Sequence, residues 1–212
     1  MTRVAFINPN STIAMTTSCG RSFAAQLPED YHVEAFTNHQ ASAAIQGPED
    51  GDAAIPGVLD IIANGNFDAY VIACFDDTGL AEARTITQKP VIGIGQASFH
   101  LAALSSGRFS VLTTLAVSLP VIARNIEAQG FGIICDGVYA SGVPVLDLEN
   151  EPDKSREIIS SHLQKMAIEN PSNAVILGCA GMTNIWNNLQ PDHQITLIDP
   201  VAATAKLIPV LV

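Results

Sequence analysis

Two cysteines, Cys74 and Cys179, stand 105 residues apart, and each follows a short apolar run. The same offset separates Arg3 from Arg108, Val33 from Val138, Ala35 from Ala140, and Val91-Ile92 from Thr196-Leu197. Five landmarks at one spacing predict two copies of a single folding unit. Chance spacing within one ordinary sheet is the plain alternative.

The unit is an alternation of strand and helix. Strands are expected at Val4–Ile7, His32–Phe36, Ala69–Ala73, Val91–Ile94, Phe109–Thr113, Gly132–Val138, Ala174–Leu177 and Thr196–Ile198. Several are continuously apolar, the mark of parallel strands covered on both faces. Helical stretches fall around Ile13–Leu27, Ile55–Asn64, Leu80–Thr87, Ser118–Gln129 and Lys154–Asn170. The expected class is α/β, with two pseudo-symmetric Rossmann-like lobes built on parallel sheets. Ligands of such units lie at the carboxyl ends of the strands. Cys74 and Cys179 then face one cleft between the lobes.

Composition bounds the partners. Hydrophobic residues are 48% of the 212 and charged residues only 15%, so most of the chain is buried. Acidic residues outnumber basic ones 21 to 10, for a net charge of -11. That excess argues against nucleic acid or an anionic membrane as a partner. The apolar run at the start stops at Asn8-Pro9, too short for a signal-peptide core. A cytoplasmic protein is expected, with a small molecule as its partner. The four cysteines form no C-x-x-C pair and no zinc spacing, so neither disulfides nor a metal is expected.

Three motifs carry chemistry. In Val71-Ile72-Ala73-Cys74-Phe75-Asp76-Asp77-Thr78-Gly79-Leu80 a strand ends on a thiol, and a polar turn leads into a helix. In Val175-Ile176-Leu177-Gly178-Cys179-Ala180-Gly181-Met182-Thr183 a second strand does the same, with glycines on either side of the thiol. Exposed N–H groups in such turns favour thiolates and anions. The third, Ile7-Asn8-Pro9-Asn10-Ser11-Thr12, ends the first strand, and Thr113-Thr114 stands at the equivalent place in the second half. Taken singly, each motif is explained by packing or helix capping. Together they point to two thiols on opposite faces of one carbon. Inverting that carbon needs a base on one face and an acid on the other. Backbone N–H groups after each cysteine, and the hydroxyls of Thr78, Thr113 or Thr114, are candidate donors to the developing oxyanion. A modest shift from the ordinary thiol pKa of roughly 8.5 would give thiolate near neutrality.

The remaining candidates are weaker. Cys19 falls inside a helix and Cys135 in a strand, where packing explains them. His32, His39, His100, His162 and His193 share no motif. Gly93-Ile94-Gly95 lacks the rest of a dinucleotide fingerprint, and no Walker A, G-x-S-x-G or H-E-x-x-H occurs.

At these residues the chain resembles the Asp/Glu/hydantoin racemase superfamily, and most closely its hydantoin and allantoin racemase branch. The likeness rests on Asn8 to Thr12 with Met15-Thr16, on Ala73 to Leu80 with Ala83-Arg84, on Pro90 to Ile94 with Gly107 to Val111, and on Leu177 to Met182. The resemblance implies a first lobe of residues 1–95 plus 199–212, a second of 96–198, no cofactor, no metal, and a homo-oligomer. It implies that Cys74 and Cys179 are catalytic. It implies that Asn8, Asn10, Asp76, Asp77, Thr78, Thr113, Thr114, Ala180 and Gly181 contact substrate. Amino-acid racemases of the superfamily carry Cys-Asn-Thr and Cys-Thr-His where this chain has Cys74-Phe75-Asp76 and Cys179-Ala180-Gly181. That departure favours a cyclic ureide, racemised at C5 of a 5-substituted hydantoin or of allantoin. An aspartate or glutamate racemase, a maleate-type isomerase and a non-catalytic small-molecule binder stay open as alternatives.

Overall fold

The computed structural model describes residues 1–169, 172–186, 189 and 195–212. His193 and the expected helix end at Asn170 lie outside the described residues. Among the described residues, eight strands form two four-stranded sheets, and every pairing is parallel. The first sheet has the order β2-β1-β3-β4, from β1 (Thr2–Asn8), β2 (Tyr31–Thr37), β3 (Ala69–Ile72) and β4 (Val91–Gly93). The second has the order β6-β5-β7-β8, from β5 (Phe109–Thr113), β6 (Cys135–Ala140), β7 (Ala174–Gly178) and β8 (Thr196–Ile198). Helices α1 (Ile13–Ala24), α2 (Pro48–Asn64), α3 (Leu80–Ile86) and α4 (Ile94–Ser106) follow the first four strands. Helices α5 (Leu119–Ala128), α6 (Asp147–Asn150), α7 (Pro152–Glu169) and α8 (Pro200–Leu207) lie in the second half.

The ladders test the repeat residue by residue. Val4 pairs with Ala69 in the first sheet, and Phe109 pairs with Ala174 in the second. Both partners advance by 105, so the central strands repeat in register. The outer strands do not. Tyr70 pairs with Val91, whereas Val175 pairs with Leu197, one residue beyond the offset. Phe6 pairs with Ala35, whereas Val111 pairs with Val138, two residues short of it. Val33 and Val138 therefore share an offset without sharing a ladder position. The ladder between β5 and β6 carries an irregularity between Phe109 and Ser110.

Each half sends its last helix to the other. Helix α4 leaves β4 of the first sheet, and its Phe99 and Ala102 join the core of Phe109, Val111 and Ile176 on the second. Helix α8 leaves β8 of the second sheet, and its Val201 and Ala205 pack with Val4, Phe6 and Val71 on the first. Phe75, just after Cys74, stands edge-on to Phe99 at 5.7 Å, and Phe99 stacks on Phe109 at 6.0 Å. Each such buried ring contributes about 1.5–3 kcal/mol over an exposed one. The exchange ties both cysteine turns to both lobes.

Gly93 and Gly95 have a steric purpose. A Cβ at Gly93 would land on the Asp77 carboxylate, and one at Gly95 on the Phe75 carbonyl oxygen. The start of α4 thus lies directly against the turn after Cys74. Gly95→Ala should cost about 1–3 kcal/mol by overpacking. Thermal denaturation should show a midpoint lowered by several degrees. An unchanged midpoint would mean that the turn yields freely.

Candidate active site

Cys74 follows β3 and Cys179 follows β7, at matching ends of the two central-strand pairs. Both line one cavity with Asn10, Met15, Ile45, Ala73, Phe75, Asp76, Thr113, Thr114, Ser118, Val145, Gly178 and Ala180. The cavity is narrow and partly open, at about 30 Å³, room for about one water. Two loops meet over it, where the Val145 N–H donates to Gln46 Oε1 at 3.3 Å. A larger cavity of about 340 Å³ lies on the other side of the Asp76–Thr78 turn and contains neither cysteine. Both thiols belong to the smaller one.

The thiols share a local geometry. The Asp76 N–H lies close enough to Cys74, and the N–H groups of Gly181 and Met182 close enough to Cys179, to lower the thiol pKa. Asp76 and Gly181 are themselves 105 residues apart. Even so, the thiols are not acidified as the turn and helix geometry suggested. Burial is the largest cause and pushes Cys179 up to about 11; the Asp76 carboxylate adds to the rise, and the backbone donors oppose it. Burial raises Cys74 further still, again with Asp76 adding, while the Thr78 hydroxyl and the Asp76 N–H pull it down. Burial thus favours the thiol form of both sulfurs.

The other expected contacts divide into two sets. Thr113, Thr114, Asn10, Asp76 and Ala180 line the cavity. Thr113 is occupied, donating to the Gly178 carbonyl at 2.8 Å. The Thr114 hydroxyl has no partner among the described residues, so it is the free donor of the pair. Asn10 is oriented by its neighbours: Oδ1 accepts from Asn8 Nδ2 at 2.8 Å and from the Thr12 N–H at 2.9 Å. Its Nδ2 meets only the Met15 sulfur, at 3.4 Å, a weak acceptor that a carbonyl would displace.

Asn8, Asp77, Thr78 and Gly181 stand behind the cavity wall instead. Asn8 Nδ2 also donates to Thr16 Oγ1 at 2.9 Å, and its Oδ1 accepts from the Asn10 N–H at 3.1 Å, so Asn8 positions Asn10. Asp77 uses both carboxylate oxygens on α4, accepting from Gly95 N–H at 2.9 Å and Gln96 N–H at 2.8 Å. Burial pushes its carboxyl up to about 8, with those two donors opposing. Thr78 Oγ1 is buried with no completed hydrogen bond, close enough to Cys74 to lower its pKa. It can serve the sulfur once that sulfur is a thiolate.

The second half reaches the same end by another route. Thr183, which matches Thr78 at the 105 offset, donates to Asp199 Oδ1 at 2.6 Å. Asp199 caps α8 by accepting from Val201 N–H at 3.3 Å and Ala202 N–H at 3.2 Å. Each cysteine turn is thus moored to the helix that crosses to the other lobe. Cys19 donates to the Ala180 carbonyl at 3.3 Å from a buried position, and Cys135 begins β6 away from the cavity. Met15, Ser118 and Val145 also line the site; apolar or single-hydroxyl residues carry no chemical signature in a sequence.

No group of three or more His, Cys, Asp or Glu side chains could hold a metal among the described residues. No helix among them is long and apolar enough to cross a membrane.

Known proteins share this arrangement. A family model described as Asp/Glu/Hydantoin racemase matches residues 4–208. A hydantoin racemase of Rhizobium meliloti is 39% identical over 95% of this chain and 85% of its own length. One of Pseudomonas sp. (strain NS671) is 32% identical over 96% of this chain and 83% of its own. The solved allantoin racemase from Klebsiella pneumoniae superposes with a TM-score of 0.94 at 33% identity, covering all of this chain and 87% of that one. With the two-lobed fold, both cysteine turns and matches of this extent, the chain belongs to the Asp/Glu/hydantoin racemase family.

Proposed function

We propose that this protein racemises 5-substituted hydantoins, allantoin among them, by moving a proton between the two faces of C5. The observation that carries this reading is the placement of Cys74 and Cys179 at equivalent strand ends on one cavity. Its relatives named hydantoin racemase and allantoin racemase support the substrate class. One thiolate removes the C5 proton, and the thiol across the ring returns another. The roles exchange for the other enantiomer. Asn10 Nδ2 and the Thr114 hydroxyl are the donors free to hold the carbonyl oxygen as it gains charge. Neither a metal nor a cofactor has a role in this scheme. The reading includes a cytoplasmic homo-oligomer, for which exposed Leu104 and Ile133 supply apolar surface.

The raised thiols set the pH dependence. A raised acid pKa favours the neutral form, so the thiolate needed for catalysis is scarce at neutrality and grows with pH. kcat/KM, after subtraction of the uncatalysed rate, should rise about tenfold per pH unit between about 7 and 9. It should fall again when both sulfurs ionise and no acid is left. The two limbs belong to the pair as a whole. A rate that is flat from pH 6 to 9 would contradict the assignment. The direct test of function is polarimetry on single enantiomers of allantoin and of a panel of hydantoins. Loss of rotation on the ureides, with aspartate and glutamate untouched, is the expected result.

A further inference from the structure

We propose that Asp76 is the group that selects neutral ureides: its carboxylate accepts a ring N–H and repels any substrate bearing a carboxylate at the reacting carbon. The inference rests on the racemase reading above and adds the origin of its specificity. Four observations carry it.

Among the described residues, Asp76 is the only carboxylate lining the cavity that holds both thiols. It breaks the internal symmetry, since the matching position in the second half is Gly181, with no side chain. It has no structural commitment comparable with that of its neighbour. Asp77 spends both oxygens on α4, whereas the Asp76 side chain makes one long contact, from Ser118 Oγ to Oδ2 at 3.4 Å. No Lys or Arg pairs with it among the described residues. Finally, it is held in place by its backbone: its carbonyl accepts from Asn125 Nδ2 at 2.9 Å, across from the other lobe.

A buried carboxylate without a cation is costly unless something uses it. Burial pushes its carboxyl up to about 6, which still leaves it ionised at neutral pH. Such a group accepts an N–H strongly. A hydantoin ring is neutral and carries N–H beside C5. Its ring-opened counterpart, a carbamoyl amino acid, carries a carboxylate on the same carbon, as does a free amino acid. Like charges held this close in a narrow, partly buried cavity repel. The Cys-Asn-Thr of the amino-acid branch would put a neutral Thr where this chain has Asp76.

The test compares wild type with Asp76→Asn and Asp76→Thr, each checked for folding by circular dichroism. Deuterium exchange at C5 of 5-methylhydantoin gives kcat and KM, and N-carbamoylalanine serves as the anionic probe. Both variants should raise KM for the hydantoin about tenfold or more, the scale of a lost hydrogen bond to a charged acceptor. N-carbamoylalanine, excluded by wild type, should become a competitive inhibitor. Asp76→Glu should still exclude it, because the charge remains. Wild type that exchanges no hydantoin hydrogen overturns the racemase reading itself. Wild type that exchanges normally, with variants whose KM and inhibition stay unchanged, overturns the role of Asp76 alone.

Discussion

Cys74→Ala and Cys179→Ala should each lower racemisation by about 10²–10⁴-fold, the usual contribution of a positioned acid or base. Neither should unfold the protein. Each sulfur is partly exposed to the cavity, and Ala leaves only a small void beside it. The sharper expectation concerns what survives. With one thiol gone, the remaining thiol still faces one side of the ring. Each variant should therefore exchange the C5 hydrogen of one enantiomer with solvent, without inverting it. The enantiomer exchanged by Cys74→Ala should be the one that Cys179→Ala ignores. Chiral separation followed by mass spectrometry reads both quantities. Two variants that exchange the same enantiomer would mean that the cysteines do not face opposite sides. Cys19→Ala is the control: its sulfur is buried against the Ala180 carbonyl and lies outside the cavity, so exchange should persist.

Asp77→Ala should produce the largest loss of stability among residues at the site. The carboxylate satisfies two N–H groups at the start of α4. Losing a helix cap costs about 0.5–2 kcal/mol, and a buried donor left without a partner about 1–3 kcal/mol. Asp77 also holds φ at 52°, a left-handed conformation that Asp tolerates better than Ala. A total of about 2–4 kcal/mol would lower the thermal midpoint by roughly 4–16 °C for a chain of this size. Activity should fall with it, since the turn that places Cys74 loses its mooring to α4. Asp77→Asn separates the two effects. It keeps the shape but offers one oxygen to two donors, so its loss should be intermediate. A stable, fully active Asp77→Ala variant would show that Gly93 and Gly95 packing alone holds the turn.

Much of the frame was legible in the chain. The central strands are buried on both faces, and an uninterrupted apolar run such as Ala174–Leu177 leaves little choice of element. The matched positions of the two cysteines follow from the 105-residue offset. At the outer strands the offset fails, as β2 and β6 show with their slip of two residues beyond the irregularity at Phe109 and Ser110. Helix α4 left no amphipathic signal. It is covered by the second sheet and by α8, so Ile94, Ala97, Phe99 and Ala102 are buried without one clean stripe. Helix α2 begins at Pro48, well before the expected Ile55, because Pro48 and the acids Glu49 and Asp50 suit a first turn, and the helix continues through Pro56.

The site divides along the same line. Residue type and strand-end position identify Cys74 and Cys179. They do not say which polar neighbours face inward. Asn8 and Asp77 share the chemistry of binding residues, yet one orients Asn10 and the other caps α4. The acidity of the thiols was also beyond sequence reasoning. N–H donors were foreseeable, whereas a cavity small enough to let burial outweigh them was not.

The central claim is proton transfer by two thiols on opposite faces, and isotope wash-in tests it most directly. A single enantiomer of allantoin or a 5-substituted hydantoin is incubated with the protein in D2O, and both enantiomers are analysed at low conversion, corrected for uncatalysed exchange. Two bases predict that the newly formed enantiomer carries deuterium at C5 while the remaining starting enantiomer keeps its protium. Deuterium appearing in both enantiomers at equal rates, or a product that retains the substrate's own hydrogen, would contradict it.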